Sequence, residues 1–439
     1  MHRKTRAQAY ADTRSRVNLK LTIHRLPNEI IALILITGCP LPDHRHKEID
    51  TDPLSYQVLV TSICRLWRQI ALHSPSLWTC VIVRPPPSMK SLSLYRKVLA
   101  AVLARSGTLE LDISIKDVRH GERPSRYYDL LSPYLSRAHT LDVDMGKLAV
   151  DLIPVSCIPE LGKLRHFYVK GRRNYRQLVL PPNARNAPLE TFHYLISSPL
   201  YMSSVPRAEL QSLTLHLHRR AGQAEDLVKL VNNSRLQKLD LKAWTWGTEA
   251  VISSPALIHL DIHMAHFPVS CLGQLPNLLH LRLAVSAAYT DRRWPSLPSL
   301  RSLHVKIGRS YNPFLKIILQ HAQQLVALRI GDRDAREVID LFRDKNDYDL
   351  DGAARESLRL VRVVLKEPLS AERLGDLSEL ALILHAQRPH VQTEWYSLVN
   401  DVRVFLPTVL DGIEATLVSE EPSPPLFKCA DEIMGASGM

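Results

Sequence analysis

Seven residues recur at matching places in six strand-like segments of this chain: His216, Lys242, His263, Arg282, His304, Lys306 and Arg329. Imidazole, ammonium and guanidinium groups on one face attract anions, and guanidinium groups pair with carboxylates and phosphates through two parallel hydrogen bonds. The chemistry on offer is capture of an acidic or phosphorylated protein segment. The competing reading is a solvated strand face of average charge. Two acids, Asp240 and Asp261, share the face.

Other chemistries find less support. The six cysteines (Cys39, Cys64, Cys80, Cys157, Cys271 and Cys429) contain no C-x-x-C pair. Reduced thiols in an intracellular protein are expected, rather than a zinc knuckle or a disulfide framework. Among the 19 histidines, His216 and His218 share a strand face with no Cys or carboxylate beside them, and His44 and His46 lie in a polar loop. No metal is expected at either pair. The chain has no G-x-G-x-x-G, P-loop, H-E-x-x-H or G-x-S-x-G, and its 16 glycines are few for phosphate-cradling loops. No catalytic residue and no cofactor are expected, although a triad assembled by the fold stays open.

The face needs a scaffold, and a repeat supplies it. The pattern L-x-x-L-x-L begins at Leu210, Leu236, Leu257, Leu278, Leu300 and Leu325, at separations of 26, 21, 21, 22 and 25 residues. Weaker copies run over Leu164–Val169, Leu358–Val363 and Leu377–Leu382. This period lies in the leucine-rich-repeat range of roughly 20 to 29 residues. One strand per repeat stacks on the next, leucines inward, with fifth and seventh positions on the concave face. Where such repeats usually carry Asn, this chain has His218, Trp244, Ala265, Ser286, Gly308 and Arg333. An irregular solenoid with differently satisfied turns is therefore expected. A helix over Leu92–Ala104, stopped by Gly107, and a strand through Leu109, Leu111 and Ile113 open the array.

Ahead of the repeats stands a helical block. Leu26-Pro27-Asn28-Glu29 reads as a helix start, followed by two apolar stripes: Leu26, Ile30, Leu33 and Ile34, then Ile31 and Leu35. Gly38 and Pro40 stop it. A second helical run carries Leu59, Ile63, Leu66 and Ile70 as a core stripe, with Val60, Cys64, Trp67 and Ala71 beside it. Ser74-Pro75 ends that run and Leu77-Trp78 anchor it. About fifty residues cannot bury two faces on each helix. The unburied stripe either docks a partner or packs on the rest of the chain.

Leu26-Pro-x-Glu-Ile30, Ile34-Leu35, Ile63-Cys64-x-x-Trp67-Arg68-x-Ile70-Ala71 and Ser74-Pro75-x-Leu77-Trp78 together resemble an F-box, over about one eighth of the chain. The long insertion around Leu41–Thr51 departs from that pattern. The resemblance implies a three-helix module that docks on the Skp-type adaptor of cullin–RING ubiquitin ligases. It implies adaptor contact, or support of it, at Leu26, Pro27, Ile30, Ile31, Ile34, Leu35, Ile63, Cys64, Trp67, Leu77 and Trp78.

Composition is compatible with this reading. Of 439 residues, 45% are apolar and 23% charged, as in a soluble, well-cored protein. No apolar run approaches the roughly 18 residues of a spanning helix, and no secretory signal is evident. Half of the net charge of +12 sits in the first 25 residues, where seven bases face Asp12 alone. That arm reads as a solvated tail, a nuclear address or a transit peptide. The body is too weakly basic for a nucleic-acid partner to be expected.

The expected fold is α/β: a basic arm (1–22), the F-box module (23–84), a proline-rich joint (85–90), an irregular leucine-rich-repeat solenoid (91–418) and a tail (419–439). The expected function is substrate recognition in the cytoplasm, the nucleus or both, for a cullin–RING ubiquitin ligase, without catalysis. A repeat scaffold that recruits no ligase is the alternative.

Overall fold

Alternating leucines and β-branched residues favour strands, and a strand with one apolar face must stack on something. In the computed structural model, the described residues are 22–39, 53–84, 89–116, 131–144, 162–170, 187–195, 205–217, 222–232, 234–245, 251–268, 271–289, 297–307, 322, 324–331, 357–365, 379–380, 392–397, 402–405 and 416–418. The basic arm to residue 21, Pro85–Pro87, His44, His46, His218 and the tail lie outside them. The described residues form two compact units, one reaching 170 and including 187–188, the other running from 189.

In the first unit, α1 (Asn28–Thr37) follows Pro27, whose carbonyl accepts the N–H groups of Ile30 and Ile31 at 3.0 and 3.1 Å. The second helical run is not continuous. It divides into α2 (Pro53–Ile63) and α3 (Arg65–Leu72), with Cys64 extended between them at φ −155°, ψ 174°. Cys64 Sγ accepts the Trp67 N–H at 3.4 Å, and Arg68 Nε donates to Thr61 O at 2.7 Å. A capped new start and a tied-off old end satisfy backbone groups that the break exposes. The break also ends the helical register, so the expected stripe Leu59–Ile63–Leu66–Ile70 is no single face. Leu59 and Ile63 are exposed; Ile70 is buried.

Ile31, Leu35, Val60, Ile70, Ala71, Leu77 and Trp78 fill the core beneath these helices. The buried Gln57 amide donates to Leu77 O (2.8 Å) and Cys80 O (3.3 Å). It ties α2 to β1 (Cys80–Val83), every residue of which is buried. The helical block therefore shares its core with strands and does not close a core of its own. Strands β1, β2 (Leu111–Ile115), β3 (Ala138–Asp144) and β4 (His166–Lys170) pair in order and in parallel. Helix α4 (Met89–Arg105) connects β1 to β2. Gly107, at φ +60°, adopts the left-handed conformation that ends such a helix without a side-chain penalty.

The second unit is a parallel-strand solenoid. After β5 (Thr191–Leu195) come β6 (Ser212–Leu217), α5 (Gly222–Asn232), β7 (Lys238–Thr245), β8 (His259–Pro268), β9 (His280–Tyr289), β10 (Ser302–Ile307), β11 (Ala327–Gly331), β12 (Leu360–Leu365) and β13 (Gln392–Ser397). Neighbours in this order pair in parallel from β5 to β13. Every strand from β6 to β11 begins two residues after the first leucine of its motif, and all three apolar positions of each motif are buried.

Residues 379–380, inside the weak copy at Leu377–Leu382, are helical, and the rest of that copy lies outside the described residues. After β13, β14 (Val402–Phe405) and β15 (Thr416–Val418) turn antiparallel, a finish absent from the repeat pattern.

Backbone bonds link successive repeats just ahead of the strands. The residue before each strand donates its N–H to its counterpart one repeat back: Gln237 to Gln211 O (2.8 Å), Ile258 to Gln237 O (2.8 Å), Leu279 to Ile258 O (3.0 Å) and Arg301 to Leu279 O (3.0 Å). Asn232, Ser253 and Asn277 add side-chain links between repeats. Ser253 packs so tightly on Gly273 that a Cβ there would lie 1.9 Å from its hydroxyl.

Trp78 carries much of the first unit's core. Its indole N–H donates to Ala71 O at 2.8 Å, and the Arg105 guanidinium lies 4.8 Å over the ring. Trp78→Ala should cost about 3–5 kcal/mol. Because α2 and β1 share that core, both the helices and β1 should loosen together, as hydrogen exchange would show. Exchange confined to the helices would contradict the shared core.

Candidate interaction surfaces

Two surfaces stand apart from the packing. The first lies on α1 and α2. Among the described residues, twelve large apolar side chains are exposed, and eight of them fall between Leu26 and Leu72. Ile30, Leu33 and Ile34 occupy the outer stripe of α1, Leu26 stands just ahead of it, and Leu59 and Ile63 are one turn apart on α2. Leu33 and Leu59 are each 59% exposed. Leucines that open to water on helices this short mark a contact surface more often than a solvated one.

The structure sorts the residues that the F-box resemblance singles out. Leu26, Pro27, Ile30, Ile34 and Ile63 are exposed, and Cys64 and Trp67 are half-buried. Ile31, Leu35, Leu77 and Trp78 are buried in the core, so they support the surface and do not form it. Val58 and Leu59 also belong to the exposed set, although the sequence pattern places Leu59 on a core stripe. Cys64 Sγ also lies 3.9 Å from His24 Nε2, and the buried Trp67 indole N–H has no acceptor among the described residues.

The second surface is the solenoid face opposite the leucines. Strand register brings the seven expected residues together in two adjoining rows. One row runs Thr214, Asp240, Asp261, Arg282, His304, Arg329; the other runs His216, Lys242, His263, Ala284, Lys306. A third row, Lys238, His259 and His280, went unnoticed in the sequence because it precedes the second leucine. Its two imidazoles stack at 4.4 Å, with 4° between their planes.

Asp261 joins the rows, with His263 Nε2 at 2.8 Å from one oxygen and Arg282 Nη1 at 3.5 Å from the other. Burial, then the neighbouring Asp261 carboxylate, raises the Asp240 carboxyl above its usual range. Burial, then Arg329 and Arg282, lowers the His304 pKa to about 2. The His304 ring is thus neutral at pH 7. Burial also lowers His259 and His280.

No protein-family model matches this chain, and no curated protein matches it in sequence. Among the described residues, no group of three or more His, Cys, Asp or Glu is placed to hold a metal ion. No described helix is long and apolar enough to cross a membrane.

His304 gives the solenoid a pH dependence of definite sign. Its folded pKa of about 2 lies below the ordinary 6.5, so below pH 6.5 the unfolded chain takes up a proton that the folded chain refuses. Its stabilising contribution is complete above pH 6.5 and is lost as the pH falls toward 2. From pH 7 to pH 5 the loss should be roughly 2 kcal/mol. Asp240 acts oppositely, since its raised pKa makes the folded state the better proton binder above pH 3.8. Thermal unfolding between pH 7 and 5 should therefore show a falling midpoint in the wild type and a flatter profile in His304→Gln.

Proposed function

We propose that this chain is the substrate-recognition subunit of a cullin–RING ubiquitin ligase. Its helical block acts as an F-box, and its solenoid acts as a leucine-rich-repeat capture surface. The carrying observation is the set of exposed apolar side chains on the helical block, which includes Leu26, Ile30, Ile34 and Ile63 of the F-box resemblance.

In this reading the chain does no chemistry. Helices α1 to α3 hold the Skp-type adaptor and the solenoid face holds a protein substrate. Ubiquitin transfer then becomes effectively intramolecular, because the substrate's local concentration is raised. The mixed-charge face fits protein recognition better than a small-molecule pocket. A scaffold without a ligase remains the alternative, with the α1–α2 side chains packed on the chain itself.

Co-purification with a Skp-type adaptor tests the proposal. Wild-type chain should retain the adaptor. Ile34→Lys combined with Leu59→Lys should weaken binding by at least about tenfold, since both sites are apolar contact positions. The pair should barely change the melting temperature, because exposed substitutions alter stability by no more than about 0.5 kcal/mol. Leu35→Ala should behave the other way, costing about 2–5 kcal/mol of stability. Equal adaptor binding by wild type and the double lysine variant would sink the reading.

A further inference from the structure

Two neighbouring strands of the solenoid begin on histidine. His259 opens β8, His280 opens β9, and the register sets them directly opposite one another. Neighbouring strands lie about 4.8 Å apart, so side chains at such a pair of positions are within reach of one ion. Both residues are exposed, and their rings stack at 4.4 Å with 4° between the planes. Other imidazoles of the sheets face carboxylates: His263 Nε2 lies 2.8 Å from Asp261 Oδ1, and His139 Nδ1 lies 3.7 Å from Asp112 Oδ1. His259 and His280 instead face each other. The inner side of each ring loses water in the stack, and this desolvation lowers both pKa values. His280 and Lys238 add to the effect at His259, and Arg301 adds to it at His280. Both rings are therefore neutral at pH 7 and keep the lone pair that metal ligation requires.

We propose that His259 and His280 form a two-histidine site for a borderline divalent transition ion of the zinc class, with the remaining coordination positions open to solvent. Imidazole suits such ions, whereas magnesium and calcium select oxygen ligands. The stack allows the fit to be gauged. Parallel rings 4.4 Å apart hold equivalent nitrogens at that same separation. Tetrahedral zinc, with Zn–N bonds of about 2.0–2.1 Å, needs them about 3.4 Å apart, so the ring tips close by about 1 Å. The second torsion of histidine is broad, and exposed rings are free to make that adjustment. Two protein ligands make a weaker site than the four of a structural zinc. Lys238 and Arg301 oppose an added dication, while Asp261, on the same face of β8, favours it. A bound ion clamps β8 to β9 at their first residues. The pair leaves no local spacing signature in the sequence, because its members stand one repeat apart.

Zinc titration of the full chain in competition with a chromogenic chelator tests this, with Mg2+ as the hard-ion control. His259→Gln and His280→Gln should each weaken one zinc site by at least about tenfold, since even the outer-shell partners of a metal are worth that much. The double variant should lose no more than either single one, because both ligands serve one ion. Zinc held by cysteines or by other histidines is common to every variant and drops out of the comparison. His259→Phe removes the ligand but keeps a ring against His280, so it should repeat the loss with the stack in place, and circular dichroism checks the fold of every variant. A second measurement uses the wild type alone: zinc should slow amide hydrogen exchange in β8 and β9 more than in the other strands of the solenoid. Equal zinc affinity in the wild type and both Gln variants, additive losses in the double variant, displacement of zinc by equimolar Mg2+, or no added protection at β8 and β9 would overturn the proposal.

Discussion

No single repeat of this chain can bury its own leucines. One strand and a connecting segment offer an apolar face without an opposite wall, so each repeat is stable only against its neighbours. From β6 to β11, Leu213, Leu215, Leu239, Leu241, Leu260, Ile262, Leu281, Leu283, Leu303, Val305, Leu328 and Ile330 satisfy that demand together, and all are buried. A one-residue slip would turn these side chains outward, so the core imposes the register. The register in turn decides which polar residues become neighbours. Arg282, His304 and Arg329 adjoin because Leu281, Leu303 and Leu328 must.

The helical block obeys the opposite logic. Its helices are short, and only one stripe of α1 finds a wall. Cys64 is the decisive residue. By taking an extended conformation and capping α3 with its sulfur, it rotates α3 away from the phase of α2. Ile70 and Ala71 then reach the core that Leu77 and Trp78 line, while Leu59 and Ile63 are left in water. A continuous helix would place all four apolar groups on one or two adjoining stripes. The break thus separates the exposed Leu59 and Ile63 from the buried Ile70 and Ala71.

How far the sequence could be read varies with the kind of signal. Six repeats were legible because Leu recurs at fixed offsets, and the two rows of face residues followed from period-two alternation alone. Strand β5 escaped the leucine pattern because Phe192 and Tyr194 hold the inward positions, although both are fully buried. Strand β3 escaped it because Ala138 stands where the first leucine would be. The helix break at Cys64 was illegible for another reason: cysteine is a rare cap, and nothing in its neighbours forbids helix. The ladder of backbone bonds before each strand could not be read at all, since main-chain groups leave no mark in the residue types. Nor could the Asp240 and His304 environments, which arise only when residues 21 to 26 positions apart become lateral neighbours.

These differences bear on where function can reside. The leucines and the backbone ladder hold the solenoid whatever the outward rows contain, so those rows are free to carry charge that is poorly matched internally. A sheet assembled for stability alone would alternate sign along a row, with each acid facing a base on both sides. Here two acids adjoin, then two guanidiniums flank a neutral imidazole, and Asp261 pairs with Arg282 across the junction. The apolar stripe of α1 and α2 follows the same physics in another form, since exposed leucines gain only when a second surface removes them from water. Each of the two surfaces is set by packing elsewhere in the chain: the solenoid rows by the register of the leucines, the helical stripe by the core beneath it.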